Sequence, residues 1–195
     1  MIVNRILFFI SVLTVLGFTT RDSSLKKASV VITPESSLVV QGKTNVSTFS
    51  CAFNTNKFKN PMQVFYELDG GNMVFSKTAL ILENNCFDCG GNAINKDFQK
   101  ILKSNKHPQI ILLLKEIIPA ENKMNVQASI TIEIGGVTKG YKIPIKIKNV
   151  DGLLISGDLD IRLSDYNLET PKKLFGLIAI DDTIEINFQL MVREK

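Results

Sequence analysis

The clearest pattern in the chain lies in its second half, where Met124, Val126, Ala128, Ile130, Ile132 and Ile134 alternate with Asn125, Gln127, Ser129, Thr131 and Glu133. Successive side chains of a strand point to opposite faces, so a period of two sustained this long predicts a strand with one dry face. Gly135-Gly136 follows, a pair that readily supplies the positive φ angles of a two-residue hairpin. Alternation then resumes, with Tyr141, Ile143, Ile145 and Ile147 set against Lys142, Pro144, Lys146 and Lys148, which predicts an antiparallel neighbour. Asn149-Val150-Asp151-Gly152 turns the chain again into Ile155, Gly157, Leu159, Ile161 and Leu163. Upstream, Gln109 to Ile118 joins the set through a turn at Glu121-Asn122-Lys123. These strands form a meander.

Both flanks extend it. Met62, Val64, Tyr66 and Leu68 alternate with Gln63, Phe65, Glu67 and Asp69, and Asp69-Gly70-Gly71-Asn72 turns into Met73–Glu83. Near the C-terminus a strand over Leu177–Ile180 turns at Asp181-Asp182 into the alternating Ile184, Ile186, Phe188, Leu190 and Val192. Ser29–Thr33 and Ser47–Phe53 bring the expected total to at least eight strands. One helix is predicted, Ala93–Lys103, with Ile94, Phe98, Ile101 and Leu102 on one stripe and Pro108 beyond its end.

A sheet of long strands with one dry face must cover that face and protect its edges, and closure into a barrel does both. The fold class expected is therefore mainly β, an antiparallel β-barrel of about eight strands with one helix. Such a barrel is either just filled by side chains or able to hold one small ligand. An outer-membrane barrel would turn the same apolar positions towards lipid. Against it stand the missing aromatic girdles, the charged Arg193-Glu194-Lys195 end and the interrupting helix.

The N-terminus adds an address. Arg5 precedes an apolar run from Ile6 to Phe18, the layout of a secretory signal peptide and short of the roughly 20 residues that span a bilayer. Residues 1–20 are assigned to this signal and 21–195 to one domain, with a periplasmic or secreted location. Gly17 and Thr19 only approximate a cleavage site, so an uncleaved anchor stays open. Export makes disulfides admissible. Cys51, Cys86 and Cys89 allow three single pairings, each leaving a free thiol.

Composition then removes function classes. The charge of +4, from 23 Lys+Arg against 19 Asp+Glu, is spread along the chain, so no nucleic-acid face is indicated. One His among 195 residues gives little material for a metal centre or a His-activated nucleophile, and the carboxylates show no catalytic pairing. The chain reads as no enzyme, with no metal and no cofactor. Lys142, Lys146 and Lys148 share one outward face, either solvated or a basic stripe for peripheral contact with anionic membrane. Tyr66, Tyr141 and Tyr166 either pack at the barrel rim or offer a hydroxyl to a ligand headgroup.

Several segments resemble the YceI-like family of exported lipid-binding β-barrels. Asn95-Lys96-Asp97-Phe98, then Leu102-Lys103 and His107-Pro108-Gln109-Ile110, is similar to the family's helix and its exit into a strand. Gly136-Val137-Thr138-Lys139 resembles a family hairpin. Gly157 to Arg162 followed by Ser164-Asp165-Tyr166 resembles the strand leading to an acidic-aromatic loop, and Phe175-Gly176 to Val192 the closing hairpin. Phe87-Asp88-Cys89-Gly90 looks like a variant of cysteine-bearing members. The resemblance spans residues 45–193 in order, but the family's opening strand with its Asp and His-Ser pattern is missing from Ser37–Phe53.

The resemblance implies a lipocalin-like barrel whose interior takes a polyisoprenoid, an isoprenoid quinone or another long lipid, for transport or storage. The apolar positions that would line such a tunnel are Val64, Tyr66, Val126, Ile130, Ile132, Ile143, Ile145, Leu159, Ile161, Ile186, Phe188 and Leu190. The alternative is a structural or interaction β module with a filled core and no ligand. A weaker third is an isomerase or redox enzyme using Cys86 or Cys89.

Overall fold

The computed structural model describes residues 24–58, 61–119, 126–169 and 179–195. The expected signal peptide, the turn at Glu121-Asn122-Lys123 and most of the strand Leu177–Ile180 lie outside them.

Among the described residues, eleven strands make one antiparallel sheet. In chain order they are β1 (Lys26–Ile32), β2 (Ser37–Thr44), β3 (Thr48–Phe53), β4 (Met62–Asp69), β5 (Asn72–Glu83), β6 (Phe87–Asp88), β7 (Gln109–Pro119), β8 (Val126–Ile134), β9 (Val137–Asn149), β10 (Leu153–Arg162) and β11 (Ile180–Glu194). Eight of them close a ring. It runs β1-β4-β5-β7-β8-β9-β10-β11 and returns to β1 through Val30 opposite Glu194 and Ile32 opposite Val192. The other three, β2, β3 and β6, branch from the N-terminal half of β11. The eight-strand barrel and its meander agree with the sequence pattern.

The apolar alternation points into the ring. On β8, Ala128, Ile130, Ile132 and Ile134 are all buried, and opposite them Ile143 and Ile145 of β9 join the same core. Lys142, Lys146 and Lys148 alternate with these and are exposed. A barrel with its dry face inside and lysines outside has the opposite polarity to a lipid-facing one. The β8–β9 hairpin turns through Gly135 and Gly136, at φ 58° and 82°. The second of these also meets a close neighbour, because a Cβ added there would stand 2.5 Å from Cε1 of His107.

Three expectations are corrected. Asp181-Asp182 is not a turn: both residues lie inside β11, where a register irregularity between Ile180 and Ile184 absorbs them. Asp182 can sit there because its carboxylate is satisfied from outside the strand, by Ser164 N, Ser164 Oγ and Arg162 Nε at 2.8, 2.6 and 3.0 Å. The helix, α1, spans Asn92–Ile101 and stops short of the expected end, with Lys103 in the left-handed region at φ 54°. Strand β2 escaped the alternation count because Val39 is apolar on its outer side and Gly42 leaves an inward position bare. Phe49 of β3 fills that gap, its ring lying where a Gly42 Cβ would be.

Between β1 and β2 the chain breaks step for a tight turn. Ser36 N donates to Thr33 O, while Thr33 N and Ser36 Oγ bond Met191 O and N, so contact with β11 continues across the break. The segment before α1 is fixed by a local network. Asp88 Oδ1 accepts from Gly90 N and Asn95 Nδ2, and Asn95 Oδ1 accepts from Cys89 N at 2.6 Å. These bonds hold the Asp88 carboxyl below its ordinary value. A disulfide joins Cys51 to Cys89, resolving the three-way choice, and Cys86 keeps its thiol.

That bridge closes a loop with a sequence separation of 38 residues. Replacing Cys51 and Cys89 together by Ala is expected to lower the unfolding free energy by about 2–4 kcal/mol in urea titrations. Cys86→Ser should shift the midpoint far less, and equal losses in both variants would assign the bridge no structural role.

Candidate functional site

The branch of β2 and β3 away from the ring opens one end of the barrel, and α1 lies across that end. Ile94, Phe98 and Ile101 of α1 are half-buried although they sit on the helix's apolar stripe. They face space. The space is a cavity of about 290 Å³, at the small end of the roughly 300–1,000 Å³ usual for small-molecule sites. Val40, Phe49 and Cys51 form one wall, Ile161 with Ile180, Ile184 and Ile186 another, and Ile110 and Ile134 reach it from β7 and β8. Leu163 and Leu168 complete the lining. Polar groups are few: Thr44 and Ser47, already bonded to each other, and Asp97 of α1.

A second hollow lies in the barrel wall. The β9–β10 ladder ends where Gly157 meets Ile145, after which β9 stays with β8 and β10 with β11. At this fork a hollow of about 320 Å³ is lined by Ser156, Asp158, Asn187, Gln189 and Lys146, with Ile145 and Phe188 at its floor. Gly157 is bare here because a Cβ would come within 2.9 Å of the Phe188 ring and 3.0 Å of Pro144 O. Its mixed, open lining suits no long apolar molecule. The cavity under α1 does.

Residues 163–168 form a strap at the end of β10. It begins as the single turn Leu163–Tyr166 and bends at Asn167, φ 53°. The Asp182 contacts hold its start, and Lys103 Nζ donates to Asn167 O at 2.9 Å beyond its middle. Leu168 packs against Gly135 of the β8–β9 hairpin. Tyr166 is fully buried, and burial, helped by the neighbouring Tyr141 phenol and the Asp165 charge, raises its phenol far above the usual value.

The expected lining residues divide accordingly. Ile161 and Ile186 line the apolar cavity, while Ile145 and Phe188 border the hollow at the fork. Ile130, Ile132 and Ile143 are buried at 8%, 2% and 5% exposure, packed in the core below the cavity. Val64, Tyr66, Val126, Leu159 and Leu190 are half-buried on the ring. The cavity residues that the strand pattern did not reveal come from α1, β2–β3 and the strap. Their one legible signal was the apolar stripe of α1, a helix with no helical partner.

The YceI-like domain family model matches residues 22–192 of the chain. Among solved structures, BcnA of Burkholderia cenocepacia is 22% identical, covering 82% of this chain and 96% of its own, with a TM-score of 0.62. A polyisoprenoid binding domain from Saccharophagus degradans, implicated in plant cell wall breakdown, is 15% identical, covering 86% and 99%, with a TM-score of 0.65. A YceI protein of Campylobacter jejuni is 18% identical over 68% and 80%, at 0.51. At these identities the structures show a shared fold. No curated protein sequence matches the chain.

The clasp at Asp182 has a pH signature. Hydrogen bonds from Ser164 and the Arg162 guanidinium hold its carboxyl below the ordinary range, so its contribution is present above the unfolded value of about 3.9 and is lost as pH falls through the folded value. Asp182→Asn should therefore lower the melting temperature near neutrality and lessen its fall on acidification. Parallel acid limbs for variant and wild type in calorimetry would remove the clasp from the account.

Proposed function

Because the chain belongs to the YceI-like family, we propose that it binds a long apolar lipid, of the polyisoprenoid or isoprenoid-quinone class, in the barrel interior, and carries or stores it after export. The observation that carries this reading is the apolar cavity between α1 and the open end of the ring. An aliphatic tail placed there would gain roughly 0.8 kcal/mol for each CH₂ removed from water. Little polar recognition is needed for such affinity, which fits a lining with so few polar atoms.

The reading is of a binding protein, not an enzyme. The cavity lining is apolar but for Thr44, Ser47 and Asp97, which suits holding an aliphatic tail. Export by residues 1–20 would place the protein in the periplasm or outside the cell. The exposed Lys142, Lys146 and Lys148 would favour transient contact with anionic lipid during exchange.

A second reading, a filled barrel without ligand, draws on the tight burial of Ile130, Ile132, Ile143 and Ile145. The two separate in one experiment. The full chain is exported, recovered without detergent and weighed by native mass spectrometry. A stoichiometric lipid adduct is expected, and Ile186→Trp, which fills the cavity from its wall, should cut adduct occupancy at least tenfold with the fold retained. A bare wild-type mass that stays bare after incubation with isoprenoid quinones would favour the filled barrel.

A further inference from the structure

We propose that the end of the barrel opposite α1 is a membrane-docking rim, whose apolar tips enter the interface of a phospholipid bilayer while the lysines between them meet its phosphates. The inference is independent of whether a tail fills the cavity.

Seven large apolar side chains are exposed among the described residues, and five of them belong to this one end. Leu25 precedes β1, Leu68 lies at the end of β4, Val74 near the start of β5, Val150 in the β9–β10 turn and Leu153 at the start of β10. The topology gathers them. β10, β11, β1, β4 and β5 are successive neighbours in the ring, and antiparallel pairing sets the starts of β1, β5 and β10 beside the ends of β4, β9 and β11. Single exposed hydrophobics are ordinary on a protein surface, whereas a set gathered at one place and rimmed by polar groups marks a contact site.

Two of the five show how the exposure arises. Leu68 follows Tyr66 on the inward face of β4, where the Tyr66 ring meets that of the buried Phe75. Leu153 precedes Ile155, which packs against the core, on the inward face of β10. The dry face of the barrel therefore runs on past its core and emerges at the rim. At the other end α1 covers that face; here no helix or strand among the described residues crosses the mouth.

Lys26, Lys27, Lys148 and Lys195 stand at the same rim, against Glu67, Asp69 and Glu194, while Arg193 and Asp151 are paired at 2.9 Å. Lys148 also ends the exposed stripe of Lys142 and Lys146 that descends β9. The balance is slightly positive, which anionic phospholipid favours. The preceding chain points the same way. It enters the described structure at Ser24, so the segment that carries the apolar run Ile6–Phe18 joins the barrel at this rim. An export segment there would hold this end, and not the α1 end, beside the bilayer. Apolar tips with lysines between them also suit a fluid interface, into which each tip sinks separately, better than a second copy of the chain, which would need a broad matching surface. Docked in this way, the protein presents α1 and its cavity away from the membrane.

The chain has no tryptophan, so a single introduced one reports its own surroundings. Leu68→Trp places it at the rim and Ile81→Trp in the half of β5 that leads to α1, at positions of like exposure, 51% and 49%. The exported protein, recovered without detergent, is titrated with vesicles of mixed phosphatidylethanolamine and phosphatidylglycerol carrying brominated acyl chains. Leu68→Trp emission should shift to the blue and be quenched, while Ile81→Trp should do neither. Adding the exposed Leu153→Glu to Leu68→Trp should raise the vesicle concentration needed for half-maximal quenching roughly tenfold. Quenching of both reporters alike, or of neither, overturns the inference. So does a Leu68→Trp shift that grows with protein concentration in the absence of vesicles, which would assign the rim to a second copy.

Discussion

Strand β11 holds the architecture together because it is paired with three others. β10 runs along its whole central length, from Thr183 to Val192, while its other edge is shared between β1 at the C-terminal end and β2 over the rest. That division lets a ring close at one end and open at the other. At the β1 end the sheet returns on itself and no edge is left exposed. At the β2 end the wall swings outward through β3 and β6, and the apolar faces of β8, β10 and β11 lose the strand that would have covered them. α1 covers them instead. The cavity is the consequence of replacing a flat wall by a helix whose stripe touches the gap from one side.

The two short devices that hold this end are covalent and ionic in turn. The Cys51–Cys89 bridge ties the branch to the loop entering α1, and Cys51, fully buried, is itself part of the cavity wall. On the far side the Asp182 carboxylate fastens the strap, and Lys103 just beyond α1 reaches the strap's Asn167 carbonyl. Helix, strap and branch are therefore coupled through named contacts, and a shift in one is felt at the cavity through the others.

What the sequence discloses follows the range of the interaction. Period-two alternation is local, so β4, β5 and β7 to β10 were legible, as were the glycine turns at residues 70–71 and 135–136, whose positive φ only the backbone demands. Closure of the ring was also legible, because a dry face needs a cover. The fork was not, since β9 alternates without interruption past the point where its partner leaves: Tyr141 and Ile143 look like Ile145 and Ile147, yet only the latter pair face β10 in register. Asp181-Asp182 misled for a related reason. Two acids in a row suggest a turn, and only the distant Ser164 and Arg162 satisfy the Asp182 carboxylate inside the strand. Which inward residues line a void and which pack against one another depends on the lid, and no alternation encodes a lid.

The contrast between the barrel's middle and its end bears on what a ligand can do. Around Ile132 and Ile143 the interior is packed to a few per cent exposure, so a tail cannot enter there without moving core side chains. Under α1 the apolar atoms of Ile94, Phe98 and Ile101 lack neighbours on one side and forgo the dispersion contacts a filled core provides. A tail occupying that space would supply the missing contacts, so α1 and its ligand would complete one another's packing. Binding of this kind stabilises the folded chain by mass action in proportion to occupancy. α1, packed against the ring from one side only, would thus be the element to respond to such a tail, while the ring beneath it stays closed.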